Sequence, residues 1–388
     1  MNKHISQTAP QGHIPEEAAG GLLRVDLDAL VANWRTLRAQ AGGAETSAVV
    51  KANAYGTGIE KAVPALAAAG CRTFFLAHVS GAIRARAVAP DVTIYVLNGL
   101  LPGSCGHLVA HNLRPVLGSL PEIDEWAAFC RAQGRPYEAA IHVDTGMNRL
   151  GLTVSEGLAL AARPELKDFT PALLMSHFVS AEERDNPLNL RQIEAFTAIR
   201  NALPGLPASL ANSSGIFLPQ KPHFDLVRPG YALYGGNPTP GEANPMRPVV
   251  ELEGRIVQLR FVEADETVGY NGRWTAGGRR RIATVSVGYA DGYPRSASAP
   301  GRGGETGLRG MALVGGHLCP FAGTVSMDLL AVDVTDAPES ALVRGGPVTL
   351  IGGQLTVDEV GRRAGTIGYE ILTGLGPRYR RVYTEAAH

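Results

Sequence analysis

From residue 46 to residue 236, eight short apolar runs alternate with stretches of helical spacing: "SAVVK", "FFLA", "TIYVL", "RPVLG", "AAIHVD", "ALLMSH", "ASLANS" and "LVRPGYALY". Such alternation is the mark of repeated βα units, in which buried parallel strands are joined by crossover helices. The intervening helices carry their own punctuation. "LPEIDEWAAFCRAQG" has Pro121 near its start and closes at Gly134, as helix-end chemistry favours. Eight such strands define an α/β fold, a (β/α)8 barrel of the TIM type. Past the Gly/Pro/Asn-rich "GGNPTPGEANPMRP" the spacing changes to alternating runs such as "VVELEGRIVQLRFV" and "RIATVSVGY", which predict a mainly-β C-terminal domain. Because the barrel is complete without "LLRVDLDAL", residues 22–28 are expected to add a strand to that second domain. The chain therefore divides into a flexible tail (1–20), a barrel (21–245) and a β-rich domain (246–388), a reasonable partition of 388 residues.

In such a barrel the reacting groups stand at the C-terminal ends of the strands. Lys51 ends the first strand, His177 the sixth, and Asn212 with Ser213 the seventh; Arg228, Gly230 and Tyr231 lie on the eighth. The segment "HVDTGMNRLG" brings His142, Asp144 and Arg149 to the same rim. Desolvation at the end of a buried strand penalises the ammonium form, so Lys51 is expected to titrate low and to act as a nucleophile toward aldehydes. An isolated lysine more commonly reaches into solvent; here its neighbours change the reading. With loops after strands seven and eight able to bind phosphate, the pattern points to pyridoxal 5'-phosphate, with Ser213 and the amides of Gly230 and Tyr231 as phosphate donors. Plainer readings stand beside these: His177 as a core histidine, Arg228 paired with Asp225, Tyr55 and Tyr289 as packed turn residues, and Met327 as core.

Nine segments then occur in order: "VVKANAYGTG", "HVDTGMNRLG", "MSHFVSAEE", "LANSSG", "VRPGYALYG", "VGYNG", "VGYADGYPR", "GTVSMD" and "IGYEILTGLGPRY". In this series the chain resembles the alanine racemases, pyridoxal-phosphate enzymes of fold type III, over residues 22 to 384. The resemblance implies a homodimer with shared active sites that interconverts L- and D-alanine, for peptidoglycan supply or alanine catabolism. It makes Lys51 the covalent anchor of the cofactor and one acid/base group, and Tyr270 of the partner subunit the other. Tyr55 and Tyr369 would bond the phosphate with Ser213, Gly230 and Tyr231, beside Asn212. His177 would lie against the pyridine ring and Arg228 would face its nitrogen. Arg149 would orient Tyr270 and the substrate carboxylate, which the backbone of Met327, also from the partner, would help bind. Tyr289 and Asp328 would narrow the entrance.

The chemistry fits these roles. Racemisation removes a proton from one face of the α-carbon and delivers another to the opposite face, so two groups must bracket it. Tyrosine ordinarily titrates at about 10 and needs a cationic neighbour such as Arg149 to work near neutrality. An arginine at the pyridine nitrogen leaves it largely unprotonated, which weakens the ring as an electron sink and disfavours transamination. Three positions depart from the family pattern. His142 stands where many members carry a carbamylated lysine, so a bound anion or a side chain such as Asn148 is expected to fix Arg149. Thr57 replaces a common histidine, and Ser209 stands where a histidine often supports the pyridine-facing arginine. The loop "SASAPGRGGETGLRG", residues 296–310, is also long; it either alters access or extends into solvent. Competing readings are a racemase of another or broader amino-acid range, a fold-type III decarboxylase, which Arg228 and "VGYNG" oppose, and a cofactor-binding protein without catalysis, which the β domain opposes.

Composition sets outer bounds. Lys+Arg and Asp+Glu are equal at 36 each, which gives no expectation of nucleic-acid or membrane binding. The four cysteines show no metal-site or disulfide spacing, so no metal is expected and reduced thiols in a cytoplasmic protein fit best. The N-terminus lacks the apolar stretch of a signal peptide.

Overall fold

The computed structural model describes residues 14–299 and 308–384. Seven parallel strands pair in chain order: Ala48–Val49, Thr73–Leu76, Thr93–Val96, Arg114–Leu117, Glu138–His142, Thr170–Met175 and Ala208–Ser209. The eighth run is reduced to Leu226–Val227, which pairs with Glu45–Thr46 immediately before the first of these strands. Hydrogen bonds on both sides carry it into the ring: Asp225 N to Ala208 O at 3.0 Å, Arg228 N to Ala211 O at 2.9 Å, and Val49 N to Pro229 O at 2.9 Å. The strand is short because Pro229 has no N–H to donate and the chain turns at once into Tyr231–Tyr234. The helix Leu120–Gln133 starts where Ser119 Oγ accepts from Glu122 N and ends at Gly134 in the left-handed region (φ 63°).

The C-terminal domain is an eight-stranded sheet around the long strand Val250–Val262. Gly21–Asp26 lies in this sheet, antiparallel to Val250–Val262 and parallel to Arg380–Thr384. The strand expected over 22–28 stops at Asp26, because the Asp26 carboxylate accepts from Ala29 N at 2.8 Å and caps the helix Leu27–Gln40. The expected tail is also shorter than 1–20: Glu16–Ala18 forms a 3-10 turn, Ala19 is buried, and Gly20 O accepts from Arg255 N at 3.1 Å. Residues 1–13 of that tail, and residues 300–307 of the long loop, lie outside the described residues. One continuous apolar core, from Leu23 to Tyr379, runs through barrel and sheet alike. Two short helices, Val357–Arg363 and Gly368–Thr373, bring the C-terminal domain to the barrel mouth. All four cysteines are buried free thiols. Among the described residues no helix is long and apolar enough to cross a membrane, and no acidic, histidine or cysteine cluster could hold a metal ion.

Candidate active site

A cavity of about 510 Å³ opens at the C-terminal strand ends, within the size range of small-molecule sites. Its walls bring together Lys51, Tyr55, Arg149, His177, Asn212, Ser213, Arg228, Gly230, Tyr231 and Tyr369, with His142 at one side. Lys51 is exposed to this space, and its amine titrates below the usual lysine range because of desolvation first and the charge of Arg149 second.

The chain leaves Lys51 in an unusual way. Ala52, Asn53, Ala54 and Tyr55 all have positive φ, between 50° and 56°, and Gly56 follows at 78°. This is a turn of left-handed helix, costing roughly 1–2 kcal/mol for each residue that carries a Cβ. It turns Tyr55 inward onto Tyr234, ring centroids 4.6 Å apart. The Tyr55 hydroxyl then lies so close to Gly230 that a Cβ at 230 would overlap it. Thr57, one of the three departures, closes the turn by donating to Ala54 O at 2.5 Å.

Opposite, Ser213 Oγ accepts from Gly230 N at 3.0 Å and from Ala232 N at 3.2 Å, which leaves its own proton to donate into the cavity. Gly230 N is thus bonded within the protein, whereas the Tyr231 amide heads a short turn whose first N–H groups find no partner inside it. The Tyr231 hydroxyl points away, donating to Asp358 at 2.6 Å, and its ring stacks on Tyr369 at 3.9 Å. Tyr369 belongs to the C-terminal domain of the same chain. Its hydroxyl lies 3.4 Å from Glu182.

Arg228 is buried and donates to Ser209 Oγ, to Ser176 O, and to Leu210 O at 3.4 Å. Among the described residues it has no carboxylate partner, and burial pushes its pKa down to about 9, still charged at neutrality. Asp225, the plain alternative, is spent on Ala208 N and Arg200. Ser209 donates its own proton to Leu226 O at 2.6 Å, so it can only accept from Arg228. Desolvation, then the charge of Arg228, pushes His177 down to about 3 and His142 to about 4; both are neutral at pH 7. Asp144 shapes its loop by accepting from the amides of Gly146, Met147 and Arg149 at 2.7, 2.8 and 3.2 Å. Asn148 takes the left-handed corner there, φ 55°, and does not fix Arg149 as expected: among the described residues no side chain bonds that guanidinium.

The remaining candidates form a separate group. Tyr270 is 69% exposed, at the tip of the hairpin Thr267–Val268 and Trp274–Thr275, and does not line the Lys51 cavity. Met327 and Tyr289 are also exposed. Tyr289 N donates to Ser326 O and Ala290 N to Met327 O, both at 2.9 Å. Arg378 ties Asp328 to this face, with 2.8 Å to Asp328 and 3.0 Å to the buried Asp291. Glu182, Asp358 and Arg378 escaped the sequence reading; Glu182 and Arg378 lay inside quoted segments, while Asp358 carries no local signal.

Residues 25–238 match the family model "Alanine racemase, N-terminal domain", and residues 249–383 match "Alanine racemase, C-terminal domain". The alanine racemase of Methylobacterium nodulans is 60% identical over 368 residues, covering 95% of this chain and 97% of that one. That of Rhodospirillum rubrum is 50% identical over 375 residues, 96% and 97% of the two chains. The crystal structure of alanine racemase from Bartonella henselae with covalently bound pyridoxal phosphate aligns with a TM-score of 0.88 at 38% identity, covering 94% of this chain and 100% of that one.

Proposed function

The chain belongs to the alanine racemase family, and from that premise we propose how its own residues interconvert L- and D-alanine with pyridoxal 5'-phosphate. The observation that carries the assignment is one cavity that holds a lysine of lowered pKa, a buried arginine with no carboxylate partner among the described residues, and the hydroxyls of Ser213, Tyr55 and Tyr369. These residues fit the cofactor: an amine for its aldehyde, hydroxyls for its phosphate, and a fixed cation for its ring nitrogen. When bound, pyridoxal phosphate supplies a sink for the electron pair of the α C–H bond.

Lys51 anchors the cofactor and moves a proton at one face of the α-carbon; Tyr270 of the partner subunit moves the other. Lys51 suits a base because desolvation and Arg149 favour its neutral form. Arg149, whose guanidinium no side chain bonds among the described residues, holds the substrate carboxylate and orients Tyr270 of the partner subunit. The N–H of Met327 from the partner adds to carboxylate binding. His177 would offer a flat neutral ring to the pyridine of a bound cofactor. Arg228, a donor only, would face the ring nitrogen of a bound cofactor and leave it unprotonated, which would favour return of a proton to the α-carbon over transamination. Tyr289 and Asp328 border the entrance. The sites are completed across a homodimer, a reading supported by the exposure of Tyr270 and Met327 away from their own Lys51. A cytoplasmic setting agrees with four free thiols.

One assay tests this: conversion of L-alanine, serine and lysine to their enantiomers by wild type, Lys51→Ala and Tyr270→Phe. Alanine is expected to turn over fastest and Lys51→Ala to lose at least about a thousandfold. Tyr270→Phe should retain α-proton exchange from one enantiomer far better than from the other. Undiminished turnover in Lys51→Ala overturns the anchor assignment, and carbon dioxide or pyruvate as main product overturns the reaction class.

A further inference from the structure

The left-handed turn after Lys51 is held from outside the cavity. Its internal bonds, Gly56 N to Ala52 O and Gly58 N to Asn53 O, both 2.9 Å, do not explain why four successive residues with a Cβ accept this hand. Strain of that kind persists where the surroundings over-determine it. Three side chains from two other elements converge on the turn. Arg84, on the helix Val79–Val88, donates Nη2 to Asn53 Oδ1 at 2.7 Å while its Nε and Nη2 grip both oxygens of Glu60 at 2.7 and 2.8 Å. Arg381 donates Nη2 to Gly56 O at 3.1 Å and to Leu375 O at 3.0 Å. Tyr383 donates its hydroxyl to Thr57 O at 2.8 Å. The last two lie on the final strand, Arg380–Thr384, and Arg381 is 325 residues from Gly56 in sequence. Among the described residues Arg381 meets only carbonyls there and keeps a buried Nε without a partner, a costly arrangement for packing alone. Fit is tight: a Cβ at Gly56 would overlap Leu372 O, and one at Gly58 the Tyr383 hydroxyl.

We infer that Arg381, Tyr383 and Arg84 are positioning residues that clamp this turn in its left-handed form, so that the last strand of the chain governs where Lys51 and Tyr55 stand and hence how firmly the cofactor is retained. The last clause rests on the proposed anchoring role of Lys51.

The test uses full-length protein with and without pyridoxal phosphate. Amide hydrogen exchange is measured on the cofactor-free protein, and retention of pyridoxal phosphate by equilibrium dialysis, for wild type, Arg381→Met, Arg381→Lys, Arg84→Met and Tyr383→Phe. Arg381→Met should speed exchange at Gly56 and Gly58 by about tenfold or more and weaken retention by about tenfold, with Arg381→Lys, Arg84→Met and the mild Tyr383→Phe intermediate. Adding Ala52→Gly to Arg381→Met should recover most of both losses, since glycine enters the left-handed region without a Cβ penalty. Unchanged exchange in Arg381→Met, an equal rise throughout Gly21–Asp26, unchanged retention, or no recovery with Ala52→Gly each overturns the clamp. Lys51→Ala is the separate control: if it retains pyridoxal phosphate as wild type does, the anchoring role fails whatever the exchange data show.

Discussion

Two neutral histidines beside a buried guanidinium should make the cofactor-free protein acid-sensitive well above the carboxylate range. His142 and His177 titrate at about 4 and about 3 in the folded chain, against about 6.5 when unfolded. As pH falls below 6.5 the unfolded state takes up protons that the folded state refuses, so stability is lost from there down to the folded values, by at most about 1.4 kcal/mol per pH unit for each group. The melting temperature of cofactor-free protein should therefore drop between pH 7 and pH 5, and His142→Gln should show a visibly shallower drop. Parallel slopes for the two proteins would remove His142 from the account. Lys51 and His177 were legible because each lies just beyond the end of a barrel strand, where polar groups converge, whereas Tyr55, Tyr270 and Tyr369 were read only from the motif series. Ser209 shows the limit. Its reading as a departure came from a pattern; that it accepts from Arg228 while donating to Leu226 depends on a partner seventeen residues away, which no local signal announces.

Among elements, the eight barrel strands were readable because both faces of each are covered, leaving nearly continuous apolar runs. The left-handed turn was not, since propensities rank residues for right-handed helix and do not anticipate four successive residues reversed by tertiary contacts. Nor was the early stop of the first C-terminal strand: "LLRVDLDAL" alternates well enough to pass as a strand throughout, and only the capping bond from Asp26 divides it. A second element-scale consequence concerns the turn carrying Met327. Gly288 packs flat against it, and a Cβ there would overlap Met327 O and crowd Asp328 N. Gly288→Ala should displace this turn and raise KM for alanine about tenfold, or ~1.4 kcal/mol of binding, with retention of pyridoxal phosphate unchanged. Gly278→Ala is the matched control, because nothing lies within 4 Å of its Cβ position. Equal KM values for the two variants would show that the turn's placement does not matter to substrate binding.

At the scale of the whole molecule, the residues proposed for the reaction fall into two groups: Lys51 and Arg149 line the cavity, while Tyr270 and Met327 are exposed on the β domain and do not line it. A symmetric pair of chains that exchanges the second group would complete two equivalent sites. The consequence is arithmetical. In a heterodimer of Lys51→Ala with Tyr270→Phe, one site carries both defects and the other carries neither, because its lysine comes from the Tyr270→Phe chain and its tyrosine from the Lys51→Ala chain. Random pairing makes about half of all dimers mixed, each with one of two sites intact, so co-refolding the two poorly active variants should restore about 25% of wild-type activity. Differently tagged chains allow the mixed dimer to be purified, in which case about 50% is expected. If each active site were built from a single chain, purified mixed dimers would gain nothing over the average of their parents, and that result would end the shared-site reading while leaving the assignments within the barrel untouched.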